Sequence, residues 1–370
     1  MSSSRPPERS LSGSILTPSG WVSGTLRYTA QIRSIEPGPV SDTVTIVPGF
    51  VDLHVHGGQG ADCMDGADAV RHMARFHARH GTTALLATTV TAPAEALIRA
   101  MRGIAEAMRV AGPGARVLGA HLEGPFISPD ALGAQPPFAI PPDLGLLEEL
   151  AAIAPMRVAT YAPEIDRDGG LLAALGRLGC RAQIGHTTCD FAQARTALAR
   201  GATGFTHLYN AMSGLHHRDS GAVGAALALA ESAELILDLQ HVDEGAALAA
   251  LRCIPRLHCV TDAVAAAGMP DGRYRLGPHT VSKRGDTVRL GDGRLAGSVL
   301  TMDQALRNLM ALGLPLAEAA HRCSTLPADY LGLVDRGRIV PGAAADIVVL
   351  DDAVRLVTVV GEGHDLTSCG

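Results

Sequence analysis

In the stretch PGFVDLHVHGG, Pro48 to Gly58, two histidines stand two residues apart behind an apolar run and before a glycine pair. Side chains alternate faces along a β-strand, so His54 and His56 share a face. Two imidazoles on one face at a strand end can grip one metal ion. The alternative is a pair of hydrogen-bonded core histidines. Polar residues of the same kind recur at the ends of other apolar runs: His121 and Glu123 in GAHLEGP, His186 in QIGHTT, His207 in FTHLYNAM, His241 in LQHVD and Asp262 in VTDA. Scattered core histidines would not collect at run ends in this register, so the metal reading prevails. Glu123, His186 and His207 make a two-histidine, one-carboxylate set, which suits a catalytic zinc with one position left for water. His54 and His56 can hold a second ion beside it, with Glu123 or Asp262 bridging. Asp262 is better spent as a general base that takes a proton from water and later hands it to a leaving amine. Its alternative role is a plain metal ligand.

The elements that must position these residues are legible as alternation. From about residue 44 to 262, eight β-prone runs alternate with amphipathic helical patterns. The runs are TVTIVPGFVDLHV, TTALLATTV, ARVLGAHLE, MRVATYAP, RAQIGHTT, ATGFTHLY, AELILDLQHV and RLHCVTDA. Such alternation means βαβ units and a parallel sheet. Eight units imply a closed α/β barrel of the TIM, (β/α)8, type, whose active face is formed by the C-terminal ends of its strands. An open doubly wound sheet is the competing architecture, but no G-x-G-x-x-G follows the first strand and no P-loop occurs. The flanks, 1–47 and 336–370, carry short β-prone pieces and read as one small β-sandwich domain built from both chain ends, with the barrel spanning 48–335. Residues 276–298 are rich in turns and predict a hairpin after the eighth strand.

Composition narrows the class. The chain has 370 residues, 47% hydrophobic, with a formal net charge of −6. Nothing in that balance suggests a nucleic-acid or membrane surface, so an anionic substrate needs its own cationic pocket. The seven cysteines include no C-x-x-C and no zinc-knuckle spacing. The first residues, MSSSRPPERS, are polar with no apolar h-region behind them. The expectation is a cytoplasmic protein with reduced thiols. His72, His77 and His80 lie on the first amphipathic helix and read as solvated. His258 reads as a core residue, and Cys63 reads as packing beside the site.

Taken together, PGFVDLHVHGG, GAHLEGPF, IGHT, FTHLYNAM, HVD, VTDAVAAAGMPDGRYRLG, LAGSVLTM and PGAAADIVVLD, in order from about residue 47 to 350, resemble the amidohydrolase superfamily. Within it they resemble most closely the N-acetylglucosamine-6-phosphate deacetylases. HLEGPF and THLYNAM are the specific motifs. The resemblance implies a metal-bearing barrel with a small β-domain from both chain ends, and hydrolysis of N-acetyl-D-glucosamine 6-phosphate to D-glucosamine 6-phosphate and acetate. It implies Glu123, His186 and His207 as metal ligands and Asp262 as catalytic acid/base. Some members lack the first histidine pair and use one metal. This chain keeps His54 and His56, so one or two divalent ions are expected, zinc first, with iron, cobalt or manganese as alternatives.

By the same resemblance Asn210 and the Ala211 backbone touch the sugar. Arg218 and His241 bind the phosphate, and Leu295, Ala296 and Gly297 line the pocket. Part of the phosphate site can come from a neighbouring subunit, which implies a homodimer. Arg218 also has a physical argument, since its planar fork suits phosphate better than lysine does. One segment departs from the family pattern. In SPDALGAQPPF, Gln135 follows Ala134 where a substrate-contacting histidine is expected, and Leu132 stands where a basic residue is common. Gln donates a hydrogen bond but carries no charge. The competing readings are an amidohydrolase for a related N-acyl amino sugar phosphate, and a sugar-phosphate-binding protein with impaired catalysis.

Overall fold

The computed structural model describes residues 8–40, 44–109 and 112–367. The eight expected runs all contain strands of a TIM-like barrel: Phe50–Val55, Thr82–Thr89, Arg116–Glu123, Met156–Tyr161, Arg181–Ile184, Gly204–Phe205, Ser232–Ile236 and Arg256–Val260. The first six form one parallel sheet in chain order and the last two form a parallel pair. Two seams close the ring. Leu208 N donates to Glu234 O at 2.9 Å across the sixth and seventh strands. Asp262 N donates to His54 O at 2.8 Å, and His56 N to Ala263 O at 2.9 Å, across the eighth and first. The strand Thr82–Thr89 is buried at every position, as expected of a sheet covered on both faces.

The first predicted run divides. Thr45–Pro48 belongs to a terminal sheet and Phe50–Val55 to the barrel. The changeover falls at Pro48, which has no N–H to donate, and Gly49, where a Cβ would meet Thr83 Oγ1 at 2.3 Å. Thr43, the first residue of that run, lies outside the described residues.

The terminal sheet has seven strands in the order His364–Asp365, Leu356–Gly361, Ile347–Leu350, Thr45–Pro48, Arg9–Thr17, Gly20–Tyr28 and Ile32–Pro37. Its central strands alternate between two cores, as the period of two requires. Ile46, Ile347 and Val349 pack with Ile15 and Leu26 in a small core of their own. Val47, Val348 and Leu350 face the barrel core.

Two further expectations change. Residues 276–298 hold more than a hairpin. Gly272–Leu276, His279–Arg284 and Thr287–Arg289 form a three-stranded antiparallel sheet, and Arg289 bridges back to Leu295. His77 is not solvated. It is fully buried on the helix Ala67–Ala78, with Nε2 2.9 Å from Gly57 O. The helical period carries it to the inner face, which the charged residues around it in sequence disguise. His258 is buried as expected. The six described cysteines are unpaired, and Cys369 lies outside the described residues. Among the described residues no helix is long and apolar enough to cross a membrane.

Candidate metal centre and active site

At the C-terminal mouth of the barrel four imidazoles and two carboxylates converge, all buried: His54, His56, Glu123, His186, His207 and Asp262. Glu123 stands at the centre. Its Oε1 lies 3.1 Å from His186 Nε2, 2.9 Å from His207 Nε2 and 3.5 Å from His54 Nε2. Its Oε2 lies 3.1 Å from His56 Nε2. Asp262 Oδ1 is 3.2 Å from His56 Nε2 and 3.5 Å from His54 Nε2. The ligand atoms thus fall into two triads that meet at Glu123. One is His54, His56 and Asp262; the other is Glu123, His186 and His207.

The strand ends explain the aim of these side chains. His54 and His56 follow the alternation of the first strand. His186, His207 and Asp262 come just after their strands, where the backbone turns at φ of 45°, 30° and 50°. These are left-handed conformations that L-residues seldom adopt and that cost about 1–3 kcal/mol each when held. They swing the three side chains back over the barrel mouth.

The hydrogen bonds on the far side of the rings test whether a cation fits. His54 Nδ1 is 3.0 Å from Glu234 Oε2, His56 Nδ1 is 3.0 Å from Thr88 O, and His186 Nδ1 is 2.9 Å from Ala131 O. Each partner is an acceptor, so each Nδ1 carries the hydrogen and each Nε2 turns a lone pair inward. Yet His54 Nε2 and His56 Nε2 are 3.2 Å apart, and His186 Nε2 and His207 Nε2 are 3.0 Å apart. Lone pairs facing each other at such spacing need positive charge between them. Ligands of one zinc at about 2.0–2.1 Å stand roughly 3 Å apart, so the spacing suits a divalent ion.

The titration pattern says the same. Burial alone would drive the charged forms out. Instead, burial notwithstanding, the neighbouring imidazoles hold Asp262 down to about 2 and Glu123 well below the carboxylate range. Burial also opposes a charge on His56, but Asp262 and Glu123 lift it to about 9. The cluster draws cations, and a metal must displace those protons to bind.

A cavity of about 220 Å³ opens above the cluster. Of the residues expected to contact substrate, Ala134, Gln135, Asn210, Ala211, His241, Leu295 and Gly297 line it. Ala296 is fully buried and outside the lining. Gly297 has φ +61°, and a Cβ there would meet Val264 Cγ1 at 2.4 Å, so the wall requires glycine. His241 lies five residues beyond its strand rather than at its end, in a loop where Asp238 Oδ2 sits 2.7 Å from its Nδ1. Burial opposes its charge, but Asp238 raises its pKa overall. Arg218 is exposed, outside the cavity lining, with Nη1 2.6 Å from His217 Nε2.

Gln135 does more than line the wall. Its Oε1 accepts from Thr91 N at 2.7 Å and its Nε2 donates to Glu123 Oε2. The loop carrying it is tied to the turn that follows the three-stranded sheet by Arg294 Nη1, 2.6 Å from Gly133 O. Cys63 donates its thiol to Thr88 O at 2.7 Å, in keeping with packing. His121 is occupied at both nitrogens, by Leu53 O and Thr160 Oγ1, which explains its absence from the cluster.

Three contributors escape sequence reasoning. Glu234 is a fully buried carboxylate inside the seventh strand, behind His54. Asp52 clamps the first and eighth strands, accepting from His54 N and Thr261 N at 3.2 Å and from Thr261 Oγ1 at 2.6 Å. Thr88 presents its carbonyl to His56 from the second strand. The signal for Glu234 and Asp52 was a carboxylate inside an apolar run, AELILDL and GFVDLHV; Thr88 had none. A larger cavity of about 440 Å³, between Arg71, Arg75, Arg116 and Glu362, holds none of these groups.

Comparison with known proteins bears on the family of the whole chain. The amidohydrolase family model matches residues 45–176 and 181–365. The chain is 41% identical to an N-acetylgalactosamine-6-phosphate deacetylase of Escherichia coli O157:H7, over 92% of this chain and 94% of that one. It is 37% identical to an N-acetylglucosamine-6-phosphate deacetylase of Lysinibacillus sphaericus, over 86% and 84%. A mutant N-acetyl-D-glucosamine-6-phosphate deacetylase of Mycobacterium smegmatis, solved in complex with N-acetyl-D-glucosamine-6-phosphate, superposes with a TM-score of 0.90 at 33% identity, covering 98% of this chain and all of that one. With the barrel, the histidine-rich mouth and near full-length matches in agreement, the chain belongs to the amidohydrolase family.

Proposed function

We propose that the chain is a divalent-metal-dependent deacetylase of N-acetyl-D-glucosamine 6-phosphate, releasing acetate and D-glucosamine 6-phosphate in amino-sugar catabolism. The observation that carries this is the pair of adjacent triads, with Glu123 of one facing His54 and His56 of the other, beneath a sugar-sized cavity. Glu123, His186 and His207 would hold one ion, and His54 and His56, with Asp262, a second. Zinc suits the nitrogen-rich set best, with iron, cobalt or manganese as alternatives. Such an ion supplies Lewis acidity toward water and an amide carbonyl.

The remaining work falls to side chains of this chain. Asp262 Oδ1 faces the floor of the cavity. There it accepts a proton from the attacking water and returns it to the amine nitrogen as the C–N bond breaks. Asn210, Ala211, Leu295 and Gly297 position the sugar, with Ala134 and Gln135 closing the opposite wall. His241, whose pKa Asp238 raises against burial, binds the phosphate with Arg218. Since Arg218 lies outside its own chain's cavity, it serves best across a homodimer interface. The working unit would be a cytoplasmic barrel of residues 48–335, with 1–47 and 336–370 as a small β-sandwich domain.

The test is acetate release from N-acetyl-D-glucosamine 6-phosphate beside its unphosphorylated form. Turnover should need the phosphate and a divalent ion. Arg218→Ala should lower kcat/KM for the phosphorylated sugar by roughly 10- to 100-fold, the scale of one charge-assisted bond, and leave the free sugar nearly unchanged. Equal loss on both sugars would misplace the phosphate. A second reading, deacetylation of the galactosamine epimer, is favoured by the 41% identity to a deacetylase of that name, against 37% for the glucosamine one. Assaying both epimers decides between them.

A further inference from the structure

We propose that Glu234 is the positioning residue that makes the His54 side of the cluster able to hold an ion, which rests on reading that cluster as a metal site. Glu234 sits within the strand Ser232–Ile236 and is fully buried. Its Oε2 is 3.0 Å from His54 Nδ1 and 3.4 Å from the backbone N of His207, and its Oε1 has no partner among the described residues. A carboxylate can only accept, so it fixes the hydrogen on His54 Nδ1 and turns Nε2 toward His56 and Glu123. It also makes the ring a stronger donor to a cation.

The arrangement is one-sided. His56 and His186 lean on backbone carbonyls, which any sequence supplies. His54 alone among the four rings leans on a carboxylate side chain. That carboxylate comes from the seventh strand, two strands from the first around the barrel, so the geometry of the first-strand pair depends on a residue remote in sequence. His121 stands beside the pair, with its ring centroid 4.5 Å from that of His54, and both its nitrogens are engaged elsewhere. It cannot replace Glu234 as the acceptor.

The experiment is zinc titration of the metal-free full-length chain, with bound metal counted by mass spectrometry after dialysis. The wild type should take two ions, and His54→Ala should lose one. Glu234→Gln keeps the shape but can present an N–H to His54 Nδ1. It should weaken the same ion by about 10- to 100-fold and leave the other within about threefold. Combined with His54→Ala, Glu234→Gln should cause no further loss, because it acts through that ring. The melting temperature of the metal-free variant checks its folding, and Glu234→Asp carries the same comparison should Glu234→Gln not fold. Two ions bound as in the wild type, equal weakening of both, or an added loss in the double variant would each overturn the proposal. One ion indifferent to both substitutions would overturn it alone, whereas no ion in the wild type would overturn the metal reading as well.

Discussion

The two triads at the barrel mouth are built by different means. The two rings of the His54–His56 side stand at the end of the strand Phe50–Val55, although Asp262 of that triad stands on a left-handed turn. Its rings are braced from behind by Glu234 and Thr88, and its backbone is clamped to the eighth strand by Asp52. The His186–His207 side stands on turns in left-handed conformation. One of its rings leans on Ala131 O, in the same loop as Gln135, and the other has no partner at Nδ1 among the described residues. The first side is preformed by the sheet. The second depends on the loops that also shape the substrate cavity. Were an ion held on each side, the strand side would seat it on the sheet and the turn side would couple it to what enters the cavity.

The sharpest way to break this comparison is to remove one ring from each side. His186→Ala should lose one ion and reduce acetate release to background, whereas His54→Ala should lose the other ion and keep measurable turnover. Full metal content with normal turnover in His186→Ala would refute the assignment. Next in size is Asp262→Asn, which keeps the shape but cannot accept a proton. It should lower kcat by about 10²- to 10⁴-fold while the Glu123, His186 and His207 ion stays bound. If the variant instead loses an ion with its turnover, Asp262 is chiefly a ligand of the strand side.

A smaller effect is expected at Gln135, which ties Glu123 to Thr91. Gln135→Ala should weaken metal binding on both sides together, by roughly 10-fold, since Glu123 serves both triads. Titration showing only one site affected would mean that the Gln135 contact is local.

The smallest effect concerns the ground under the strand side. His77 holds Gly57 O just after His56, and burial, against that hydrogen bond, pushes its pKa down to about 4. An unfolded histidine titrates near 6.5. The folded pKa is the lower one, so this contribution is complete above about pH 6.5 and is lost as pH falls toward 4. The loss amounts to about 3 kcal/mol at most. In the metal-free protein, the gap in urea midpoint between wild type and His77→Gln should therefore narrow over that interval. A constant gap would show that His77 does not change its protonation on unfolding.

Much of this was legible beforehand because the chemistry is periodic. His54 and His56 announce a shared face, and Glu123, His186, His207 and Asp262 each close an apolar run. Such runs fix strand ends, and strand ends fix the active face of a barrel. What escaped was non-local. Nothing near Glu234 in sequence links it to His54, 180 positions away. The left-handed turns at His186, His207 and Asp262 are imposed by tertiary packing against the preference of the residue types. His77 shows the opposite failure, since a charged neighbourhood concealed an inward-facing position. The first run was read as one barrel strand even though the domain boundary set at 47/48 cuts it beside Pro48, because its apolar pattern continues through two sheets.

That division has a consequence for how the molecule is made. Thr45–Pro48 pairs on one edge with Arg9–Thr17, which leaves the ribosome before it, and on the other with Ile347–Leu350, which leaves the ribosome long after it, once the whole barrel has been made. At roughly 5–20 residues per second, the nascent chain carries that second edge bare for tens of seconds while the barrel is still being extruded. An unpaired strand edge is a template for stray pairing between chains. The strand is only four residues long, which limits the edge it can offer. Pro48 and Gly49, where the chain steps from one sheet into the other, thus also set how much edge waits for residues 347–350.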